Sequence, residues 1–305
     1  MPDLAFGGQA LIEGVMMRGP SRIATAVRSP EGEIVVETRE YLSLVDRKPA
    51  LKKPILRGAL AFFEMLLIGI TALQHSAEVA SGSRTRGQKG VSPWALALTL
   101  VVGLALGVLL FVYVPLQSAQ WLGFAPSAFR FNLVAGAVRV TLLVGYMSVM
   151  LLSADLRRVF QYHGAEHKSI WALETGAELT VDGARPQSRL HPRCGTSFLL
   201  IVSLSSIFLF AVCDSFVQMF IGHPPGVVVR FLTHFSLLPL VAGGSFELLK
   251  LSGRYRNRAW VRTLIAPGLW LQRITTREPS DPQLEVALAA LREVLVEPAP
   301  VHASA

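Results

Sequence analysis

The segment Tyr-His-Gly-Ala-Glu-His-Lys, from Tyr162 to Lys168, holds two histidines four positions apart with a glutamate between them. On an α-helix that spacing points both imidazoles the same way, so His163 and His167 can chelate one ion. Glu166 stands about 60° round the helix from His163 on its other side. There it could take a proton from a water on that ion without being a ligand. The order is H-x-x-E-H, the reverse of the zincin arrangement. A second pair follows in His191-Pro192-Arg193-Cys194, so that the four residues spell H-x3-H-x23-H-x2-C. Imidazole and thiolate together suit zinc, and a divalent metal of that kind is the expected cofactor. Four bound ligands would make a closed, structural site. Three would leave a position for water, with Glu166 as general base and catalytic residue.

Further carboxylates could complete the shell. Glu174 sits about 10 Å beyond His167 on a continuous helix, so it serves only if the helix breaks at Thr175-Gly176 or earlier. Glu247 and Glu64 are additional candidates. Readings without metal also stand: two histidines bonded to backbone, Cys194 as an inert small residue, or Cys194 as a nucleophile beside His191. Lys168 and Arg193 could hold lipid phosphate.

The elements that must position these residues follow from composition. The chain has 305 residues, 51% hydrophobic and only 16% charged, yet its net charge is +8. That hydropathy argues against disorder and against a soluble enzyme, and a nucleic-acid binder would be richer in Lys and Arg. Two cysteines, Cys194 and Cys213, make a disulfide framework improbable. No basic n-region precedes an apolar core at the N-terminus, so no signal peptide is expected.

Four stretches are long and apolar enough to cross about 30 Å of hydrocarbon. They are Trp94–Val114, Leu133–Ser153, Phe198–Phe220 and Val227–Leu249. Lys+Arg outside them number 12, 1, 6, 0 and 8 in chain order. This alternation fits the positive-inside rule, with both termini and the central loop cytoplasmic. Arg139, Asp214 and Arg230 lie inside these spans, near their outer ends, and are expected to form an ion pair joining three helices. Ile55–Leu73 is a fifth apolar stretch. Basic clusters flank it on both sides, and Arg57, Glu64, Thr71, His75 and Glu78 mark one helical face, so an interfacial or re-entrant helix is expected.

The expected fold is therefore mainly α: a polytopic membrane protein of about four transmembrane helices plus that interfacial helix, with a small N-terminal β-hairpin region. Residues 1–54 form the cytoplasmic glycine-rich and hairpin region, with strands Ile23–Arg28 and Glu33–Tyr41 around the turn signal Ser-Pro-Glu-Gly. The glycines of 7–20 suggest close backbone approaches or positive φ, or else a flexible loop. The interfacial helix takes 55–80. The transmembrane domain takes 94–250, with the metal-like loop at 154–197. Interfacial and amphipathic helices take 251–296, and a disordered tail 297–305. Ala259–Ile274 is amphipathic and broken at Pro267-Gly268. Ser280-Asp281-Pro282 starts a last helix whose Leu284, Leu288, Leu291 and Leu295 form an apolar seam that could recruit a protein partner.

Several strings resemble the YqhQ-type family of bacterial inner-membrane proteins, a domain of unknown function once labelled "predicted metal-dependent enzyme". They are Gly-Gly-Gln-Ala-Leu-Ile-Glu-Gly-Val-Met-Met-Arg-Gly-Pro (7–20), Tyr-His-Gly-Ala-Glu-His-Lys (162–168), His-Pro-Arg-Cys-Gly-Thr-Ser-Phe (191–198), Leu-Leu-Pro-Leu-Val-Ala-Gly (237–243) and Ala-Pro-Gly-Leu-Trp-Leu-Gln-Arg-Ile-Thr-Thr-Arg-Glu-Pro (266–279). The resemblance implies metal dependence for His163, Glu166 and His167, and with them His191 and Cys194. It implies neither reaction nor substrate. Two functions fit. One is a membrane-embedded zinc-type hydrolase acting at the inner-leaflet surface on lipid-linked groups or membrane-adjacent peptides. The other is a non-enzymatic scaffold or regulator stapled by a structural metal. A small transporter is a third, resting on the intramembrane charges alone. The lipid bilayer is the expected partner, and no nucleic acid is needed.

Overall fold

The computed structural model describes residues 6–82, 92–124, 127–255 and 258–296. The tail from Glu297 and the basic cluster of Arg84, Arg86 and Lys89 lie outside them. Four strands come first: β1 (Gly7–Leu11), β2 (Gly14–Arg18), β3 (Arg22–Arg28) and β4 (Ile34–Glu40). They form one antiparallel sheet in the order β1-β2-β3-β4. The hairpin expected at 23–41 is β3–β4, with Arg28 opposite Ile34. The glycine-rich segment is not a loop. It forms a second hairpin, in which Leu11 pairs with Gly14 across a tight turn where Glu13 takes φ 52°. Alternation splits the side chains cleanly. Val15, Met17, Ala24 and Ala26 face one core, whereas Leu11, Met16 and Ile23 face another.

The rest is helical: α1 (Leu44–Arg47), a 3-10 turn at Pro49–Lys52, α2 (Leu56–Ala80), α3 (Pro93–Val108), a π-turn at Leu109–Tyr113 running into α4 (Val114–Trp121), α5 (Ala128–Met150), α6 (Ala154–Thr175), α7 (Val181–Ala184), α8 (Gly195–Ile221), α9 (Val227–Arg254), α10 (Ala259–Thr275) and α11 (Asp281–Leu295). Among the described residues five helices are long and apolar enough to cross a membrane: Leu56–Ala80, Ala97–Trp121, Ala128–Met150, Gly195–Ile221 and Val227–Leu251. The sequence count of four becomes five because the stretch from Ile55 continues as one helix to Ala80.

α2 nevertheless has two unlike faces. Ile68 and Ala72 pack under the sheet against Leu11, Met16 and Ile23. Phe63, Leu66, Leu67 and Leu73 are exposed. Its polar stripe is partnered: Arg57 forks onto Glu247, Glu64 accepts from Ser43 Oγ and Leu44 N, and His75 meets Glu37 at 3.2 Å.

The opposite face of the sheet is covered by α6 and α11. Leu284, Leu288 and Leu291 are buried there among Val15, Met17, Tyr162 and Ala165. At about 1.5–3 kcal/mol per fully buried large apolar side chain, this seam is a main fastener of the sheet. The partner-recruiting role expected of it has no free surface, because the chain's own core takes it. α11 begins where expected, with Ser280 and Gln283 forming a capping box. α10 departs from expectation: it runs unbroken through Pro267. The proline removes one helical donor, but Leu271 and Gln272, both buried, hold the helix against α8.

Candidate metal centre

α6 starts at an N-cap, Ser153, which accepts from Leu156 N, and it ends at Gly176 in the left-handed region with φ 72°. It is therefore continuous through the whole H-x-x-E-H segment and Glu174. His163 and His167 project from one face, as the four-residue spacing requires. Cys194 approaches from the other side as the N-cap of α8. The ligand atoms of His163, His167 and Cys194 all lie within 4.8 Å of one another. His163 Nε2 is 3.2 Å from Cys194 Sγ.

Both imidazoles are fixed by their other nitrogen. His163 Nδ1 donates to Thr275 O at 2.8 Å, and His167 Nδ1 donates to Arg189 O at 2.6 Å. With the proton fixed on Nδ1, deprotonation leaves each Nε2 with its lone pair, the tautomer that a histidine metal ligand needs. His167 Nε2 is buried and has no hydrogen-bond partner among the described residues. A buried acceptor without a partner costs about 1–3 kcal/mol unless something binds it. A soft divalent cation held by two imidazoles and a thiolate fits the donor set.

Glu166 completes the arrangement. Its Oε2 stands 3.9 Å from Nε2 of both His163 and His167, close to the trio but not within bonding distance. Two glycines make room. A Cβ on Gly8 of β1 would lie 2.7 Å from Glu166 Cγ, and one on Gly164 would lie 2.0 Å from Arg277 O. Thus the glycine-rich strand, the H-x-x-E-H helix and the 266–279 segment meet at this point.

Charge follows the geometry. Burial opposes an ion at either group, but the facing opposite charge overrides it. The Cys194 sulfur and then Glu166 raise the His163 imidazole to about 9. His163 and His167 hold the Cys194 thiol well below its usual value. The thiolate also accepts from Thr196 N at the start of α8, where a helix N-terminus favours negative charge. Cys194 is thus a ready soft ligand.

The remaining sequence candidates lie elsewhere or face differently. His191 Nδ1 accepts from Arg193 N, and its Nε2 points to Glu174 Oε1 at 3.4 Å. Burial lowers the His191 pKa. Glu174 also pairs with Arg193, and Lys168 is buried, donating to Arg185 O and pairing with Glu278. Both basic groups are engaged by carboxylates of the chain itself. Glu64 and Glu247 are held by the segment at Ser43 and by Arg57. Asp214 pairs with Arg230 at 3.1 Å and His234 at 2.9 Å, and Asn132 donates to it at 2.7 Å. Arg139 is not in this group. It lies midway along α5, because the helix begins at Ala128 and not at Leu133.

Sequence reasoning missed the residues that set the tautomers and the loop: Thr275, Arg189 and Gln272. Gln272 clamps the His191 backbone in both directions, accepting from N and donating to O at 2.8 Å. Thr275 and Gln272 sit inside the 266–279 string, so the signal was present but their partners were not visible. His234 was missed because a lone histidine in an apolar helix carries no spacing.

The model of a family described as "Protein of unknown function (DUF1385)" matches residues 53–297. The chain is also similar to the "Uncharacterized protein YqhQ" of Bacillus subtilis (strain 168), 34% identical over 310 residues that span 95% of this chain and 92% of the relative. No solved structure matches it. The chain belongs to the DUF1385 family.

Proposed function

We propose that this member of the DUF1385 family is a membrane-embedded, zinc-type metal-dependent hydrolase acting at the cytoplasmic face of the inner membrane on a lipid-linked or membrane-adjacent substrate. The observation that carries the reading is the convergence of His163, His167 and Cys194 within 4.8 Å, with Glu166 3.9 Å from both imidazole Nε2 atoms. Three protein ligands are the number found in catalytic zinc sites, and bound zinc brings the pKa of water near 7. Glu166 holds a carboxylate where it can accept the released proton. Thr275 and Arg189 keep each histidine in the ligating tautomer through their carbonyls.

Packing supports the membrane arrangement. The sheet precedes α2, whereas α6 and α11 follow it, yet all three share one core. They must lie on one side of a bilayer. An even number of crossings therefore separates the sheet from α6, which favours crossings by α3–α4 and α5 with α2 lying at the interface. The exposed Phe63, Leu66, Leu67 and Leu73 of α2 suit that position. With α8 and α9 as the other pair, the basic-residue pattern supports a cytoplasmic sheet, centre and termini.

One observation favours a second reading, a scaffold with a structural metal. His167 and Cys194 are 1% and 5% exposed, as in a closed site. Metal analysis of the purified protein separates the two. The wild type should hold about one zinc-like ion per chain, lost in His163→Ala and in Cys194→Ala but kept in Glu166→Gln. Cobalt-exchanged protein should show a visible spectrum that titrates in the wild type and changes its pH dependence in Glu166→Gln. A spectrum indifferent to Glu166→Gln selects the structural reading. A wild type without metal overturns both.

A further inference from the structure

Arg139 stands apart from the proposed metal centre. Its side chain is buried midway along α5 and is only 8% exposed. Nε donates to Phe111 O at 2.8 Å, and Nη1 donates to Ser206 Oγ at 2.5 Å. The Phe111 carbonyl is in the π-turn of Leu109–Tyr113, where the wider spacing interrupts the i→i−4 ladder. The guanidinium also lies 5.4 Å from the centre of the Phe210 ring. No carboxylate pairs with it among the described residues. Asp214, which could have, is already engaged by Arg230, His234 and Asn132. Nη2 makes no hydrogen bond among the described residues.

This cation lines a cavity of about 330 Å³ between the π-turn, α5, α8 and α9. The other walls are mostly apolar, including Phe111, Leu143, Tyr146, Leu199 and Phe210, with Ser203, Ser206 and His234 as the polar remainder. His234 is fully buried, and its Nδ1 has no hydrogen-bond partner among the described residues. Tyr146 and Leu199 are exposed, so the cavity opens on the side of the helix bundle. The volume is at the lower end of small-molecule pockets, and the composition, apolar walls with a few fixed polar groups, is theirs. A buried cation without a counter-charge is unfavourable, and a ligand that supplies one is drawn to it.

We propose that this cavity binds an anionic amphiphile: a single acidic oxygen head held by Arg139 and an apolar tail lying against Leu143, Leu199 and Phe210. The site is independent of the His163–Cys194 centre. A carboxylate head and a phosphate head share this chemistry, and the experiment distinguishes them.

The test uses full-length protein in an uncharged detergent with cis-parinaric acid as the fluorescent probe. Decanoate, decyl phosphate, decanol and decylamine serve as competitors. Binding should be saturable and displaced by the two acids, the stronger of which identifies the head group. Decanol and decylamine should compete at least about tenfold more weakly, the loss expected of one charge-assisted hydrogen bond. Arg139→Gln should weaken probe binding by a similar factor, and Arg139→Lys should retain it. Ser203→Phe, which fills the cavity and leaves Arg139 in place, should abolish binding, and it decides the matter if Arg139→Gln does not fold. Equal competition by decylamine, or unchanged binding in Ser203→Phe, overturns the proposal.

Discussion

The chain buries two polar clusters that are satisfied in opposite ways. Around Asp214 charge meets opposite charge: Arg230, His234 and Asn132 all converge on one carboxylate, and Arg230 also lies over the Phe131 ring at 3.4 Å. Around Cys194 the convergence is of groups that can ligate a metal. Two imidazole Nε2 atoms and a sulfur face one another, and only their outer sides are bonded to backbone. The first arrangement balances its charge with fixed protein groups. The second balances it through a proton on His163 facing the Cys194 thiolate, and a bound cation would replace that proton. Burial is nearly equal in the two, so burial does not identify a site; the sign and saturation of the groups do.

This contrast predicts opposite responses to removing one member. Asp214→Asn takes away the carboxylate that pairs with the buried Arg230. The expected loss is about 3–5 kcal/mol, read from thermal or chemical unfolding in detergent. His167→Asn keeps a donor for Arg189 O but removes Nε2. In metal-free protein it should cost no more than about 1–2 kcal/mol, since Nε2 makes no hydrogen bond of normal geometry among the described residues. In metal-loaded protein the same variant should lose its ion. If both variants destabilised metal-free protein equally, the two clusters would not differ in kind.

Gly164 sharpens the comparison from the packing side. The centre needs α6 pressed against the 266–279 segment, and a Cβ there would lie 2.0 Å from the Arg277 carbonyl. Backbone cannot move aside as a side chain can. Gly164→Ala should cost about 1–3 kcal/mol and shift Thr275 away from His163. Metal affinity should fall with it, while substitutions near Asp214 leave that affinity unchanged. Titrating metal into wild type and Gly164→Ala checks this.

Much of this was legible in residue spacing, and the limits have physical causes. The pair His163 and His167 is a local helical relation, so spacing gave it. Cys194 was placed by its residue type and its position before an apolar run. His191 had the same credentials but turned to Glu174, because which way a loop ring faces depends on backbone bonds that no spacing encodes. The strands at 7–18 were hidden by their glycines, which read equally as close backbone approaches or as a loop. The close approaches are real at three of them: Gly8 meets Glu166 and β2, Gly14 meets β3, and Gly19 meets Val294 of α11. The Leu284–Leu295 seam was correctly seen as apolar, but amphipathicity states only that a face is buried, never against what. Arg139 was grouped with Asp214 because both are intramembrane charges of opposite sign, and only helix packing separates them.

The smallest effect is expected where a charge pair is half exposed. Glu13, at the tight turn of β1–β2, takes a fork from Arg158 at 2.5 Å and accepts from Tyr162 at 3.2 Å. The Arg158 hydrogen bonds lower its pKa below the ordinary value, against a smaller opposing effect of burial. A carboxylate whose pKa is lower in the folded state stabilises the fold above its unfolded pKa, near 4.3. That contribution disappears as pH falls through the folded value. Solvent screens the pair, so the gain is under about 1 kcal/mol. Wild-type stability should therefore dip by that amount more than Glu13→Gln between about pH 5 and 3, and the two should converge below. Because Arg158 and Tyr162 stand one turn apart on α6, with Tyr162 next to His163, Glu13 ties the second and third turns of the metal helix to the sheet. A dip as large as the Asp214→Asn loss would mean that this exposed pair behaves like the buried one, and the distinction between screened and saturated charge would fail here.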